Sequence, residues 1–113
     1  MTDCLFCRIV AGDLPADVVH ETDRTLAFRD LAPVAPTHVL VVPKDHYDDI
    51  TALTTADPAY AGELFAAAAE VARLEGLAEG HRMVTNTGEI SGQSVRHLHV
   101  HVLGGRPMSW PPG

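Results

Sequence analysis

At 113 residues the chain has the size of one domain, at roughly 100 to 200 residues each, so residues 1–113 are read as a single unit. Apolar residues make up 46% and charged residues 20%, enough for a packed core, which excludes disorder as the main state. Fifteen Asp and Glu against eight Lys and Arg leave a formal charge of −7; the basic residues are scattered, which speaks against a nucleic-acid groove, and no apolar run nears the ~20 residues that span a bilayer.

No basic-then-apolar leader precedes Asp3, so the chain reads as soluble, intracellular and cytoplasmic. Leu5 to Val10 spaces its apolar residues as a short amphipathic helix that Gly12 stops. Val18 to Glu21 and Thr25 to Arg29 carry β-branched and aromatic residues around the turn-prone Thr22-Asp23-Arg24, which predicts a hairpin. His38 to Val42, closed by Pro43, predicts a buried strand. Asp57 can then cap a helix, Pro58 suits its first position, and Tyr60, Leu64, Ala67, Val71 and Leu74 recur at helical spacing until Gly76. A long helix is therefore expected over Pro58 to Glu75. Arg82 to Thr87 and Arg96 to Leu103 read as strands on either side of a Gly88 to Gly92 loop. This order predicts an α+β domain, an antiparallel sheet with helices on one face.

Three of the seven histidines fall in Arg96-His97-Leu98-His99-Val100-His101-Val102-Leu103. On a strand this alternation sends His97, His99 and His101 to one face and Leu98, Val100 and Val102 to the other. Two chemistries use such a row. A metal could sit on two or three of the rings, with a further ligand and an open position for water. Alternatively, one neutral imidazole attacks phosphorus while its neighbours orient it and move protons. Cys4 and Cys7 are the two cysteines; a bridge between them would close only a tiny loop, so they read as thiols or metal ligands.

The run His97-Leu98-His99-Val100-His101-Val102 resembles the His-x-His-x-His-x pattern of the histidine triad nucleotide-binding proteins. Asp3 to Ile9, Phe28-Arg29-Asp30, Pro36 to Lys44, Arg82 to Asn86, Gly92 to Val95, and the tail with Leu103 to Arg106 and Trp110-Pro111-Pro112-Gly113 are similar, in order, to segments of their Hint branch. The resemblance implies a HIT-like fold: a five-stranded antiparallel sheet with one long and one or two short helices, continued across a homodimer. It implies a purine nucleoside 5′-phosphoramidate hydrolase in which His99 forms a nucleotidyl-histidine intermediate that water cleaves. His101 would contact the phosphate or leaving group, His38 would steady the site from across, and Ser94 would serve the scissile phosphate or leaving group.

By the same resemblance Asn86 would contact ribose or phosphate, and the Asp30 carboxylate would accept both ribose hydroxyls. Phe6, Ile9, Phe28, Leu31 and Leu40 would enclose the base, adenine expected over guanine, with Arg29 as a cation beside the slot. Gly92-Gln93-Ser94-Val95 would bring backbone N–H groups up to phosphate oxygens. Cys4 and Cys7, with His46 after Pro43-Lys44-Asp45 and with His97, would hold a structural Zn²⁺ closed to water. The alanine-rich helix and a neighbouring strand would form the two-fold interface, with Trp110 reaching toward the partner's site. Two alternatives stand: a dinucleoside polyphosphate hydrolase, against which the Trp-Pro-Pro-Gly ending speaks, and a nucleotide-binding regulator with incidental chemistry.

Overall fold

The computed structural model describes residues 3–113; the stretch before Asp3, where no leader was expected, lies outside them. The predicted hairpin forms as β1 (Val18–Glu21) and β2 (Thr25–Arg29). The Thr22 hydroxyl accepts from the Thr25 N–H at 3.1 Å and closes the turn. β3 spans Thr37–Pro43, β4 Arg82–Val84 and β5 Val100–Gly104. All neighbours are antiparallel, in the order β1-β2-β3-β5-β4.

The long helix, here α3, runs Pro58–Leu74, with α1 at Leu5–Val10 and α2 at Ile50–Ala56. The Asp57 carboxylate caps α3 by accepting from the Tyr60 N–H. Gly76, at φ +74°, supplies the left-handed residue that turns the chain away after it. α2 is a short helix without a sequence-based expectation of its own, although Asp49 caps it through the Ala52 N–H at 2.9 Å.

Strand alternation sorts the core into two layers. Ala27, Val39, Val41, Val100 and Val102 face α3 and α2, packing on Leu53, Leu64, Ala68 and Val71. Leu26, Phe28, Leu40 and Val42 face the other way and pack on Phe6 of α1. The expectation that the helices share one face is therefore corrected: α1 covers the face opposite α3. With both faces of β2 and β3 covered, these strands are buried at nearly every position. Among the described residues no helix is long and apolar enough to cross a membrane.

Two strands are shorter than expected, and tertiary hydrogen bonds explain both. β5 starts at Val100 instead of Arg96 because the preceding residues bend toward the loop after β3. There the Leu98 N–H donates to Tyr47 O at 2.7 Å and the His97 ring to Pro43 O at 2.9 Å. β4 ends at Val84 instead of Thr87, and the next residue, Thr85, donates its hydroxyl to His99 O at 2.9 Å. Bonds to the loop after β3 and from side chains replace the ladder where the histidines sit.

Candidate functional site

A cavity of about 410 Å³ opens on the α1 face of the sheet. Register fixes its layout: Phe28 pairs with Leu40, and Leu40 with His101. One row across three strands thus passes from an aromatic ring to an imidazole. Phe6, Ile9, Phe28, Leu31 and Leu40 line the apolar end, while His99, His101, Ser94 and Val95 line the polar end, with Asp30 also on the wall. Leu31 is fully exposed and marks the rim. Of the residues expected in a strand on one face, His99 precedes β5 and His97 lies in the bend, so His99 and His101 reach the cavity and the buried His97 does not.

Hydrogen bonds to groups of fixed polarity determine which nitrogen of each ring carries the proton. His99 Nδ1 lies 2.8 Å from His97 O. A carbonyl only accepts, so Nδ1 holds the proton and Nε2 keeps a lone pair. The Val34 N–H donates to His38 Nδ1 at 3.1 Å, so the proton of neutral His38 sits on Nε2. That nitrogen is 2.8 Å from His101 Nδ1, which must accept, leaving His101 an Nε2–H. The site therefore offers a lone pair on one imidazole and an N–H on the next, with ring centroids 5.0 Å apart.

Burial keeps the two supporting rings neutral. It pushes His101 down to about 4, helped by His99 and His38, and it lowers His38 against the opposing pull of Asp30. The Asp30 carboxylate lies 3.5 Å from His38 Nε2. Its other oxygen accepts from the Ala32 N–H at 2.8 Å, which orients the group toward the cavity wall.

Some expected contacts are not brought to the cavity. The Gly92 and Gln93 amides, expected to approach phosphate, instead donate to Glu89 O and Gly88 O at 2.9 and 3.2 Å. The Gln93 side chain is buried and bonds Asp48 O, Val95 O and the Gly88 N–H. It shapes the loop that carries Ser94 and Val95. Asn86 is not among the cavity-lining residues. Arg29 does line the cavity, where a cation beside the slot was expected, but its guanidinium is held bidentately by Glu75 at 2.6 and 3.1 Å, so its charge is already paired. Leu14, Pro15, Ala16 and Asp17 line the cavity without having been foreseen; the turn at Gly12, at φ +83°, brings this short apolar stretch over the slot.

Beside the cavity Cys4, Cys7, His46 and His97 bring one donor atom each to within 4.8 Å of all the others. His97 Nδ1 lies 3.3 Å from Cys4 Sγ and 3.5 Å from Cys7 Sγ, and His46 Nδ1 lies 3.4 Å from Cys7 Sγ. Ligands about 2.0 to 2.3 Å from a tetrahedral Zn²⁺ stand about 3.3 to 3.8 Å apart, so these spacings fit that ion. The proton positions fit as well. His97 Nε2 donates to Pro43 O, and His46 Nε2 faces Asp48 Oδ1 at 3.1 Å, which leaves both Nδ1 lone pairs pointing at the thiols.

Asp30, His38 and His101 form a second group at ligand spacing, but it does not fit a metal. His38 Nδ1 is engaged by the Val34 N–H, so the inward Nε2 carries a proton where a ligand needs a lone pair.

The HIT domain family model matches residues 11–108. The chain is 48% identical over 111 residues to an uncharacterized HIT-like protein of Synechococcus elongatus, covering 98% of this chain and 97% of the relative. It superposes with a TM-score of 0.94 on a HIT family hydrolase from Legionella pneumophila, at 46% identity over 98% of this chain and all of the other. A histidine triad protein from Clostridium difficile follows at a TM-score of 0.90 and 40% identity, with 96% of each chain covered. The chain belongs to the HIT family.

Proposed function

We propose that this protein hydrolyses purine nucleoside 5′-phosphoramidates, with the nucleoside in the apolar slot and phosphorus between His99 and Ser94. The observation that carries the reading is the opposite polarity of the two cavity imidazoles: a lone pair on His99 Nε2 and a proton on His101 Nε2. The likeness to solved structures named as HIT family hydrolases supports the reaction class.

In the first step His99 Nε2 bonds to phosphorus, the P–N bond breaks, and the leaving nitrogen departs as the amine with a proton from solvent, which the attacking water of the second step gives back. His101 Nε2–H and the Ser94 hydroxyl donate to the phosphoryl oxygens as charge builds. The Nδ1–H to His97 O bond tightens as the His99 ring becomes positive. Water then attacks phosphorus on the same line and frees His99. Two in-line displacements retain configuration at a chiral phosphorus.

The Cys4, Cys7, His46 and His97 corner takes a structural Zn²⁺ in this reading. Four protein ligands would fill its coordination shell, so the ion would brace the fold and leave no position for water or substrate. Two copies associate through the outer edge of β4, which has β5 as its neighbour on one side only, and through the exposed face of α3 with Phe65, Ala66 and Ala69. An open strand edge beside a close-approach helix suits a two-fold contact. Light scattering should report a dimer at micromolar concentration.

The deciding experiment compares initial rates on adenosine 5′-phosphoramidates and on dinucleoside polyphosphates. Faster turnover of the phosphoramidates by at least about tenfold, one factor of ten in transition-state stabilisation, is expected. The reverse order would reassign the enzyme.

A further inference from the structure

We infer that the four-ligand corner positions the nucleophile: it holds Phe6 and the His97 carbonyl against the His99 ring, so metal occupancy sets turnover as well as stability. This rests on the reading of slot, nucleophile and corner given above.

Two physical routes join the corner to His99. The first passes through one residue. His97 offers Nδ1 to the corner, while its carbonyl oxygen accepts from His99 Nδ1 at 2.8 Å. Pro43 O holds the opposite ring nitrogen at 2.9 Å. With a metal at Nδ1 the ring is fixed firmly at both nitrogens; without one its Nδ1 side is held only by weak thiol contacts at 3.3 and 3.5 Å. The carbonyl on the same residue dictates which nitrogen of His99 carries the proton. Freedom at His97 therefore loosens the tautomer that makes His99 Nε2 nucleophilic.

The second route passes through α1. Six residues make a helix too short to persist alone, and Phe6 is its one buried residue. Cys4 is the N-cap, its sulfur accepting from the Cys7 N–H at 3.3 Å, so both thiols sit in the turn that carries Phe6. The Phe6 ring stands edge-on to His97, His99 and Phe28, with centroids 5.9, 5.1 and 5.5 Å away. One side chain thus touches a corner ligand, the nucleophile and the base slot. Thiol to imidazole contacts are weak hydrogen bonds, whereas metal–thiolate bonds lock the turn in place.

His38 and His101 depend on neither route, since both sit on paired strands and bond each other. Loss of metal should therefore act on His99 while sparing the rest of the row.

The test compares protein stripped with a chelator against the same protein reloaded with Zn²⁺, reading kcat, AMP affinity, amide exchange of α1 and the His99 tautomer by nitrogen NMR. Stripping is expected to lower kcat by at least about tenfold, the scale of a small misplacement of a reacting group, with AMP affinity changed less than kcat. The α1 amides lose protection while β3 and β5 keep theirs, and His99 becomes a tautomer mixture. Phe6→Leu, which keeps an apolar side chain and leaves the four ligands intact, should retain zinc and lose kcat by several-fold.

Full kcat with a single His99 tautomer in the stripped protein would overturn the inference, as would failure to take up Zn²⁺ or an unchanged kcat in Phe6→Leu. If the loaded protein turns over no phosphoramidate, the proposed reaction fails. The positioning inference is then decided by the exchange and tautomer readouts, and an unchanged His99 on stripping overturns it.

Discussion

The corner histidines and the His38–His101 pair of the cavity lie side by side in this molecule and are wired in opposite senses, while His99 between them is wired as the corner rings are. In the corner, His97 and His46 give their outer nitrogens to acceptors, Pro43 O and Asp48 Oδ1, so both inner nitrogens carry lone pairs. In the cavity, His38 takes an N–H from Val34 on its outer nitrogen, so its inner nitrogen carries a proton. The first arrangement suits a metal and the second suits proton traffic. The group on the far side of each ring makes the distinction, and counting histidines does not. His97 belongs to both regions, its ring among the corner donors and its carbonyl accepting from His99.

The comparison breaks most sharply at His99. Replacing it with Gly or Ala removes the lone pair without touching the corner, and kcat should fall by at least about a thousandfold, roughly 4 kcal/mol of transition-state stabilisation. Nucleotide affinity, measured by calorimetry, should survive because the apolar slot is intact. Unchanged turnover would assign the chemistry elsewhere.

Next in size is the corner. Cys7→Ala removes one ligand, and elemental analysis should fall from about one zinc per chain toward zero. An ion present at 100 to 1,000 times its Kd contributes about 3 to 4 kcal/mol. The loss should lower the thermal midpoint by about 10 °C for a chain of this size. The same substitution with zinc content and midpoint unchanged would remove the metal from the account.

His38→Gln tests the proton wiring. The amide carries an acceptor and a donor but not at the ring positions that meet the Val34 N–H and His101 Nδ1, and His101 is then free to adopt either tautomer. A loss in kcat of about ten- to a hundredfold, at the low end of general acid–base contributions, is expected with KM little changed. A larger change in KM than in kcat would make His38 a binding residue instead.

Much of this arrangement was legible in the sequence where local pattern governs. The hairpin, α1 and the start of α3 follow from turn residues, spacing and the Asp57-Pro58 cap. The resemblance to the family, not local pattern, carried the expectation that Cys4, Cys7, His46 and His97 meet, as they do, and that the five apolar slot residues share one cavity, which they line. Illegible features depend on distant partners. Alternation made His97 to His101 a uniform strand, but Tyr47 O and Pro43 O pull the first of these residues out of the sheet. The resemblance puts Gln93 in the loop that meets the nucleotide, yet its side chain is buried against Asp48 and Val95. Leu14 to Ala16 carry no motif; their place over the slot follows from where α1 docks.

The smallest effect separates the two regions by pH. His101 and His38 are held neutral by burial, His101 at about 4, whereas an unfolded histidine titrates near ~6.5. Between these values the unfolded chain binds more protons than the folded one, so stability rises with pH through the window and is lost as pH falls from about 6.5 toward 4. After allowance for the open side of the cavity, the loss from His101 is of order 1 to 2 kcal/mol. Burial also lowers His97, which weakens the hold of protons on its ring, while protons on any of the four donor groups compete with metal in the corner as pH falls. His101→Gln distinguishes the contributions: chemical denaturation at stepwise pH should show a flatter slope between pH 4 and 6.5 than the parent chain, while zinc release keeps its own midpoint. An unaltered slope in the variant would place the acid sensitivity in the corner.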